Sequence, residues 1–245
     1  MMDRAKNPRE RARARVTAAR QKLARRLDPV GHELLYQASY LDLARRTSWL
    51  QDVPLSSPGG GTASFSQLYL LLRILNEGAG ISRVLELGVG ISTSIITQWV
   101  EAHDGTSVHV DDDAGWLEAT VPAGDRVSAL HAPLGSRTIG DRQIEWYDVA
   151  MPEGGFDLLL VDGPQAWNAA NRFNRLGVLD WTPDVLAEEF VVVIDDSARP
   201  GEHRLAGEME RVIRASGRSV HRRDVVGANS QTLLVSDAYR FAAYL

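Results

Sequence analysis

A glycine-containing stretch in the first half of the chain has the residue types of a turn that binds a nucleotide. Residues 84–87 read Val-Leu-Glu-Leu, a short and mostly apolar run typical of a buried parallel strand. Gly88 and Gly90 follow, and glycine permits a sharp turn and a close approach of a ligand to the backbone. Ser92 or Thr93 is expected to cap the helix that comes next. A strand, a glycine turn and a helix N-terminus together predict a nucleotide-sized site.

Carboxylates near this turn indicate which nucleotide would bind there. Asp111 follows Gly90 by 21 residues, a spacing at which a carboxylate accepts both hydroxyls of a ribose, and Asp112 comes directly after it. Glu86 precedes the turn by two residues and would repel a pyrophosphate, whereas it would attract an amine or a sulfonium. These features favour S-adenosylmethionine over a phosphate-rich cofactor.

A second group of carboxylates is predicted at the same edge of the sheet. Asp162 follows one apolar run, and Asp195 and Asp196 follow another. Three carboxylates are suitable ligands for Mg²⁺, which would lower the pKa of an acceptor hydroxyl. The alternative is that Asp195 and Asp196 only precede and cap a helix, and the sequence leaves both open.

The pattern of apolar residues predicts the elements that bring these groups together. Strands alternate with helices from residue 83 onward, which indicates a parallel sheet covered by helices on both faces. Two further strand-like runs, 219–226 and 230–236, are joined by three residues, too few for a helical crossover, and predict an antiparallel hairpin. We expect five parallel strands at 83–87, 107–111, 127–131, 156–162 and 190–195, and helices at 93–103, 113–120, within 165–187, and at 201–216.

The residues before this region predict an N-terminal helical extension. A basic helical arm is expected over 1–30, where the first 27 residues hold ten basic and two acidic side chains. Helical segments are expected over 31–82, at 32–52 and after a cap at Ser64 or Ser66, with a glycine-rich loop between them that could be a lid. The arm could contact nucleic acid or an anionic membrane. Alternatively, it could lie on the acidic body (residues 28–245, in which acidic side chains outnumber basic ones) or on a second subunit as part of a homo-oligomer.

Composition limits the classes of protein to which the chain can belong. The 245 residues carry a net charge of −5 and include no cysteine, which excludes disulfides and thiolate metal sites and favours a cytoplasmic location. No apolar run approaches the roughly 20 residues of a transmembrane segment. The acidic body makes nucleic acid an unfavourable partner.

Residues 83–245 resemble a class I S-adenosylmethionine-dependent methyltransferase, the seven-stranded family with an antiparallel last strand. The stretch 84–92 (VLELGVGIS) resembles its first motif, with Ser92 where a third glycine often stands. The stretch 110–117 (VDDDAGWL) resembles the second motif, and 156–164 (FDLLLVDGP) is similar to the fourth-strand motif. The resemblance implies a Rossmann-like methyltransferase domain over 83–245.

The resemblance also implies roles for individual residues. Glu86 would hold the methionine end of the cofactor, and Asp111 would hold the ribose. Ala132 and Pro133 would lie beside the adenine, together with Trp116. The implied cofactor site consists of Glu86, Gly88, Gly90, Ser92, Asp111, Asp112, Trp116, Ala132, Pro133 and Asp162.

The reaction implied is methyl transfer to oxygen of a small molecule or a saccharide. The set Asp162, Asp195 and Asp196 is similar to the Mg²⁺ ligands of metal-dependent O-methyltransferases, in which a histidine shortly after the first aspartate looks like the base. Here Gln165 stands in that region, so Asp162 and Gln165 are the candidate catalytic residues. The alternatives are an NAD-dependent oxidoreductase, an aminopropyl transferase, and a nucleic-acid-binding or RNA-modifying protein that uses the basic arm.

Two sets of side chains near this edge leave alternatives open. Arginines could clamp an anionic acceptor or pair with the local aspartates, and the pairing is the favoured interpretation; they are Arg172, Arg175 and Arg199. Aromatic residues could line an acceptor pocket, with core packing as the default; they are Trp146, Tyr147, Trp167 and Trp181.

Overall fold

The computed structural model of the protein describes residues 28–55 and 63–244. The predicted basic arm over the first 27 residues and the glycine-rich loop over 56–62 lie outside the described residues. Within the described part of the chain, no helix is long and apolar enough to cross a membrane.

The described residues form a three-layer α/β structure. Its helices are α1 (Pro29–Arg46), α2 (Phe65–Glu77), α3 (Ile91–His103), α4 (Ala114–Thr120) and α5 (Pro200–Ala215), with 3₁₀ helices at Asn174–Asp180 and Arg240–Ala243. Its strands are β1 (Arg83–Leu87), β2 (Thr106–Asp111), β3 (Val127–His131), β4 (Leu134–Ile139), β5 (Arg142–Tyr147), β6 (Phe156–Val161), β7 (Leu186–Ile194), β8 (His221–Val225) and β9 (Gln231–Val235).

The central sheet has seven strands in the order β3-β2-β1-β6-β7-β9-β8. The first five of these are parallel, β9 is antiparallel to β7, and β8 and β9 form an antiparallel hairpin. This confirms the predicted fold class, a Rossmann-like seven-stranded sheet with a C-terminal hairpin. Because β1 lies between β2 and β6, the carboxyl ends of these three strands meet at one edge.

Alternate residues of the strands pack against opposite layers. Val84 of β1 belongs to the apolar core that the sheet forms with α1, α2 and α3, whereas its neighbour Leu85 belongs to the core on the other face, with α5 and β5. Both residues are fully buried. The mostly apolar strand therefore reflects burial on both faces, as expected for a central parallel strand.

The structure corrects the region between the third and fourth predicted strands. A separate two-stranded sheet, β4 and β5, occupies it, and this hairpin was not predicted. Ile139 pairs with Arg142, so Gly140 and Asp141 form a two-residue turn in which Gly140 has φ of +59°. A Gly-Asp pair between two strand-like runs is a hairpin signal and could have revealed it.

Several element boundaries also differ from the predictions. Helix α1 ends at Arg46 instead of extending to 52, and the helix expected within 165–187 is only the 3₁₀ segment Asn174–Asp180. Helix α3 begins at Ile91 with Gly90 as its N-cap, so neither Ser92 nor Thr93 caps it. The predicted cap at Ser64 is confirmed, since its hydroxyl accepts a hydrogen bond from the Gln67 amide.

Candidate active site

The turn after β1 needs glycine at its first position. Gly88 has φ of +86°, a conformation that side chains rarely adopt, and its amide donates to the Val110 carbonyl over 2.8 Å. A Cβ atom at Gly88 would lie 2.5 Å from the backbone nitrogen of Gly163, which follows β6. The turn therefore lies directly against the backbone at the end of β6.

The other side of the same turn is open. Gly90 has φ of −174°, which any residue can adopt, and a Cβ atom there would meet no described atom within 4 Å. The Gly90 amide donates to the Thr93 hydroxyl over 3.0 Å, which fixes the start of α3. The space beside Gly90 is therefore the side on which the turn can receive a ligand.

Glu86 lies beneath the turn with no exposed surface. Ser92 and Thr93 donate their hydroxyls to its two carboxylate oxygens over 2.5 and 2.6 Å. His109 Nδ1 lies 2.6 Å from Glu86 Oε2, and its Nε2 lies 2.8 Å from the Ser107 hydroxyl. Glu86 therefore cannot touch a bound molecule in this arrangement, and it acts through its charge and through the turn and the helix start that it holds. His109, a residue of β2, is therefore part of this network.

Asp111 lies beside the glycine turn and is half-buried. Its Oδ2 accepts a hydrogen bond from the Val89 amide and its Oδ1 one from the Asp113 amide, both over 2.9 Å. Trp116 donates its indole N–H to the Val89 carbonyl over 2.9 Å, and the side chain is 52% exposed. Asp111 and Trp116 therefore hold the backbone N–H and C=O of the same turn residue, Val89.

The remaining residues predicted for the nucleoside lie at the ends of β2 and β3. Ala132 is buried, and its amide donates to the Asp111 carbonyl over 2.9 Å, while Pro133 after it is exposed. Burial, together with the charge of Asp111, raises the pKa of the Asp112 carboxyl. The structure thus brings all of these residues to the edge beside the turn.

The three predicted metal ligands form a cluster a short distance along the same edge. Carboxylate oxygens of Asp162, Asp195 and Asp196 all lie within 4.8 Å of one another. The Asp162 amide donates to the Leu87 carbonyl over 2.8 Å, so the cluster adjoins the glycine turn. Burial raises the pKa of Asp195 well above its usual range, and the charges of Asp162 and Asp196 raise it further.

Arg175 lies inside this cluster with only 6% of its side chain exposed. Its Nη2 donates to Asp162 Oδ1 over 3.0 Å, and its Nη1 to Asp196 Oδ2 over 3.4 Å. Burial alone would lower the pKa of Arg175, but Asp162, Asp196 and Glu202 raise it, so the guanidinium stays charged. Arg199 also pairs with Asp196, over 2.7 Å. The favoured interpretation that these arginines pair with aspartates is confirmed for Arg175 and Arg199.

Arg172 differs from the other two arginines. It is exposed, and its guanidinium lies 5.0 Å from the centre of the Phe173 ring. It makes no ion pair with the cluster among the contacts of the described residues.

Two glutamines that sequence reasoning missed also reach the cluster. Gln67 of α2 is fully buried, and its side-chain amide donates to Asp162 Oδ2 over 3.4 Å. Gln231 of β9 donates to Asp195 Oδ1 over 2.7 Å and to the Ser64 hydroxyl over 3.0 Å. Both contacts join distant parts of the chain, and no local pattern signals them. The start of α2 therefore belongs to the candidate site.

Gln165 and Trp167 lie in the exposed segment that follows Asp162. Trp167 is 68% exposed, and its indole N–H donates to Gln165 Oε1 over 3.2 Å. The other aromatic residues considered for an acceptor pocket are buried and pack in the core, as the default interpretation expected. They are Trp146, Tyr147 and Trp181.

The contacts of the aspartates do not fit a resident magnesium ion. Asp162 Oδ1 and Asp196 Oδ2 already accept from Arg175, and Asp195 Oδ1 accepts from Gln231. The Arg175 guanidinium already lies among these carboxylates, and its positive charge would repel a Mg²⁺ ion bound to their remaining oxygens. The metal site therefore stays a prediction from the sequence, and no step below depends on it.

Comparisons with known proteins give similarities in fold. No family model matches the chain, and no curated protein matches it. Among solved structures, the chain is similar to a methyltransferase from Pyrococcus furiosus (15% identity, TM-score 0.45, 82% of this chain and 96% of that chain). It is similar to a SAH-bound methyltransferase from Podospora anserina (14%, 0.44, 97% and 100%). It is also similar to an O-methyltransferase from Streptomyces achromogenes involved in tomaymycin synthesis, in complex with SAM (18%, 0.42, 81% and 89%). At these identities and TM-scores, the fold assignment rests on the strand order and register of the sheet, and the function is argued from the site.

Proposed function

We propose that this protein is an S-adenosylmethionine-dependent methyltransferase that acts on an oxygen atom of a small molecule or a saccharide. One observation carries the proposal: the open side of the glycine turn at Gly90 lies next to Asp111 and Trp116, above a buried carboxylate. The seven-stranded sheet supports it, because ligands of such sheets bind at the carboxyl ends of the strands, where this turn lies.

The buried carboxylate favours a cationic ligand over a phosphate. A helix N-terminus attracts anions because of its free N–H groups and its dipole. At α3 this position already holds Glu86, which accepts hydrogen bonds from Ser92 and Thr93 in the first turn of the helix. A pyrophosphate would meet this negative charge, whereas the ammonium and sulfonium groups of S-adenosylmethionine would be attracted by it.

Asp111 and its neighbours suit the adenosine part of the same molecule. A carboxylate offers about four acceptor positions, and Asp111 uses two of them for backbone amides. Two remain for ribose hydroxyls. Trp116 and Pro133 offer exposed apolar surface for the adenine, and Asp112 and Ala132 follow the same two strands, β2 and β3.

Asp162 is the candidate base at the acceptor end. It is half-buried beside the glycine turn, and its Oδ2 has only the long contact with Gln67 among the described residues. S-adenosylmethionine supplies the methyl group when it is bound. The acceptor oxygen would form the new bond to the methyl carbon as the carbon–sulfur bond breaks, and its proton would pass to Asp162. Gln165 and Trp167 would contact the acceptor from the exposed side.

Calorimetry with S-adenosylmethionine, S-adenosylhomocysteine and NAD tests the cofactor. We expect the first two to bind and NAD not to bind. Asp111→Ala should weaken S-adenosylmethionine by about 10- to 100-fold, since it removes hydrogen bonds to a charged group. Glu118→Ala is the matched control, because it removes a carboxylate from the exposed surface of the adjoining helix α4 and should leave the affinity unchanged.

Two outcomes would contradict the proposal. Binding of NAD without binding of either methionine-derived ligand would favour a dehydrogenase. An unaltered affinity in Asp111→Ala would remove Asp111 from the ribose contact. The basic arm and a homo-oligomer through the N-terminal helices stay predictions, as does a cytoplasmic location. The contact of the arm with nucleic acid also stays a prediction, which a salt-dependent affinity for RNA that needs residues 1–27 would support.

A further inference from the structure

Arg175 lies where the acidic groups of three chain segments converge. Its guanidinium contacts the side chains of Asp162 and Asp196 and lies 3.7 Å from Glu202 at the start of α5. It also donates to the main-chain carbonyls of Asp162, Pro164 and Asp195. All three guanidinium nitrogens are therefore used inside the protein.

The guanidinium supplies the positive charge and the hydrogen-bond donors that these buried carboxylates require. Carboxylates that are held close together repel one another, and in a buried setting a positive charge must compensate them. An arginine presents its donors in a rigid planar fork, so one side chain can join Asp162 to Asp196. Gly201 allows the close packing, because a Cβ atom there would collide with the backbone carbonyl of Arg172. The segment that carries Arg175 is thereby pressed against α5.

We propose that Arg175 takes the place of a divalent metal ion at Asp162, Asp195 and Asp196 and acts as the permanent cation of the acceptor end. Arg175 is a positioning residue in this role, since it fixes the orientation of Asp162. The inference rests on the proposed function only where it names the acceptor end; the occupancy of the cluster by a guanidinium is independent of any activity.

A guanidinium in this position narrows the class of acceptor. A metal ion could bind a hydroxyl oxygen directly and lower its pKa, whereas a guanidinium whose donors are all used inside the protein cannot. The hydroxyl proton of the acceptor would then have to be transferred to Asp162. An acceptor also needs no pair of adjacent oxygens, because there is no ion for it to chelate.

Titration of the full chain with Mn²⁺, followed by the electron paramagnetic resonance signal of the free ion, tests the proposal. We expect no saturable binding at the cluster in the unmodified protein. Arg175→Met removes the charge but keeps an apolar side chain of similar length, and it should create a Mn²⁺ site. Adding Asp195→Asn to that variant should abolish the new site. Arg172→Met is the matched control, since Arg172 is exposed on the same segment and should leave Mn²⁺ binding unchanged.

The outcomes separate this proposal from the proposed function. Saturable Mn²⁺ binding by the unmodified protein that disappears in Asp195→Asn would overturn the proposal, whatever the methyl donor. A folded Arg175→Met that binds no Mn²⁺ would also overturn it, because something other than Arg175 would then exclude the ion. If circular dichroism finds that Arg175→Met does not fold, the test is the Mn²⁺ binding of the unmodified protein compared with that of Asp195→Asn. Equal binding without saturation at the cluster would support the proposal. Failure to bind S-adenosylmethionine would affect only the proposed function.

Discussion

The two ends of the candidate site are built in different ways. Apart from Asp162, the residues predicted for the cofactor lie within 86–133, where backbone amides and hydroxyls donate to the carboxylates of Glu86 and Asp111. The acceptor end combines residues of α2, α5 and β9 with residues that follow β6 and β7, and ion pairs to a buried arginine hold it together. The first is a local structure with neutral donors, and the second is a long-range charge cluster.

This difference has consequences for stability. A hydrogen bond from a neutral donor to a carboxylate contributes about 1.5–3 kcal/mol, whereas removing one partner of a buried ion pair costs about 3–5 kcal/mol. The acceptor end should therefore tolerate only substitutions that keep its donors and acceptors paired. The cofactor end should be limited by backbone geometry instead, because its turn lies against the backbone after β6.

The largest effect is expected for Asp162→Asn. Asparagine keeps an oxygen that can accept from Arg175, so the protein should fold, but it cannot take a proton from the acceptor. We expect the rate of methyl transfer to fall by at least about 100-fold, with the affinity for S-adenosylmethionine unchanged within about threefold. The rate is measured with S-adenosylmethionine labelled at the methyl group and a panel of phenols and saccharides.

Asp180→Asn is the control for this substitution. It makes the same chemical change at an exposed position of the 3₁₀ segment that carries Arg175. The control should methylate at the normal rate. A normal rate of methyl transfer in Asp162→Asn would mean that another group accepts the proton. The charge cluster at the acceptor end would then have no part in proton transfer.

The next effect is expected at the glycine turn, where two neighbouring glycines should respond differently. Gly88→Ala places a Cβ atom 2.5 Å from a backbone nitrogen at a positive φ, so it should destabilise the protein by about 2–3 kcal/mol. Gly90→Ala places it in open space at an extended φ and should change stability by less than about 1 kcal/mol. Urea unfolding measures both.

For Gly90→Ala, we expect the main effect on the binding of S-adenosylmethionine instead of on stability. Because the methyl group of Gly90→Ala would occupy the space proposed for the cofactor, this variant should bind S-adenosylmethionine about 10-fold or more weakly while staying folded. Unchanged binding by folded Gly90→Ala would place the cofactor elsewhere.

The smallest effect is expected from Glu202, at the acceptor end. Burial raises the pKa of Glu202, although Arg175 acts in the opposite direction. The folded protein therefore holds this proton more tightly than the unfolded chain does, so the resulting stability is complete below the usual pKa of a glutamate. It is lost as the pH rises through the raised value. Glu202→Gln lacks this titration, so its stability should decline less than that of the unmodified protein as the pH rises from the usual pKa of a glutamate through the raised value.

Thermal unfolding followed by circular dichroism at a series of pH values measures this difference. Glu208→Gln on the same helix is the control, since Glu208 pairs with Arg211 on the surface, and it should leave the pH dependence of the melting temperature unchanged. Equal slopes for Glu202→Gln and the unmodified protein would mean that Glu202 does not titrate differently in the folded state.

Much of the fold follows from local patterns in the sequence. Apolar runs, glycines and the spacing of the elements predicted the five parallel strands and the terminal hairpin, because burial on both faces requires such runs. The hairpin of β4 and β5 was missed because its residues are partly exposed and only the Gly140-Asp141 turn signals it. The first residues of α1 and α3 were set by the N-caps Asp28 and Gly90, and the end of α1 by Thr47, whose capping geometry the periodicity does not specify.

The same distinction applies to the site. The sequence by itself determined the turn at Gly88 and Gly90 and the carboxylate at Asp111, since short-range geometry and strand ends specify them. Only the tertiary structure decided that Glu86 is enclosed by hydroxyls and His109, and that Arg175 lies among the aspartates. The contact of Gln67 with Asp162 spans 95 residues of sequence. Side chains so far apart meet only because the sheet and its layers pack, and no local pattern records which partner a buried charge will find.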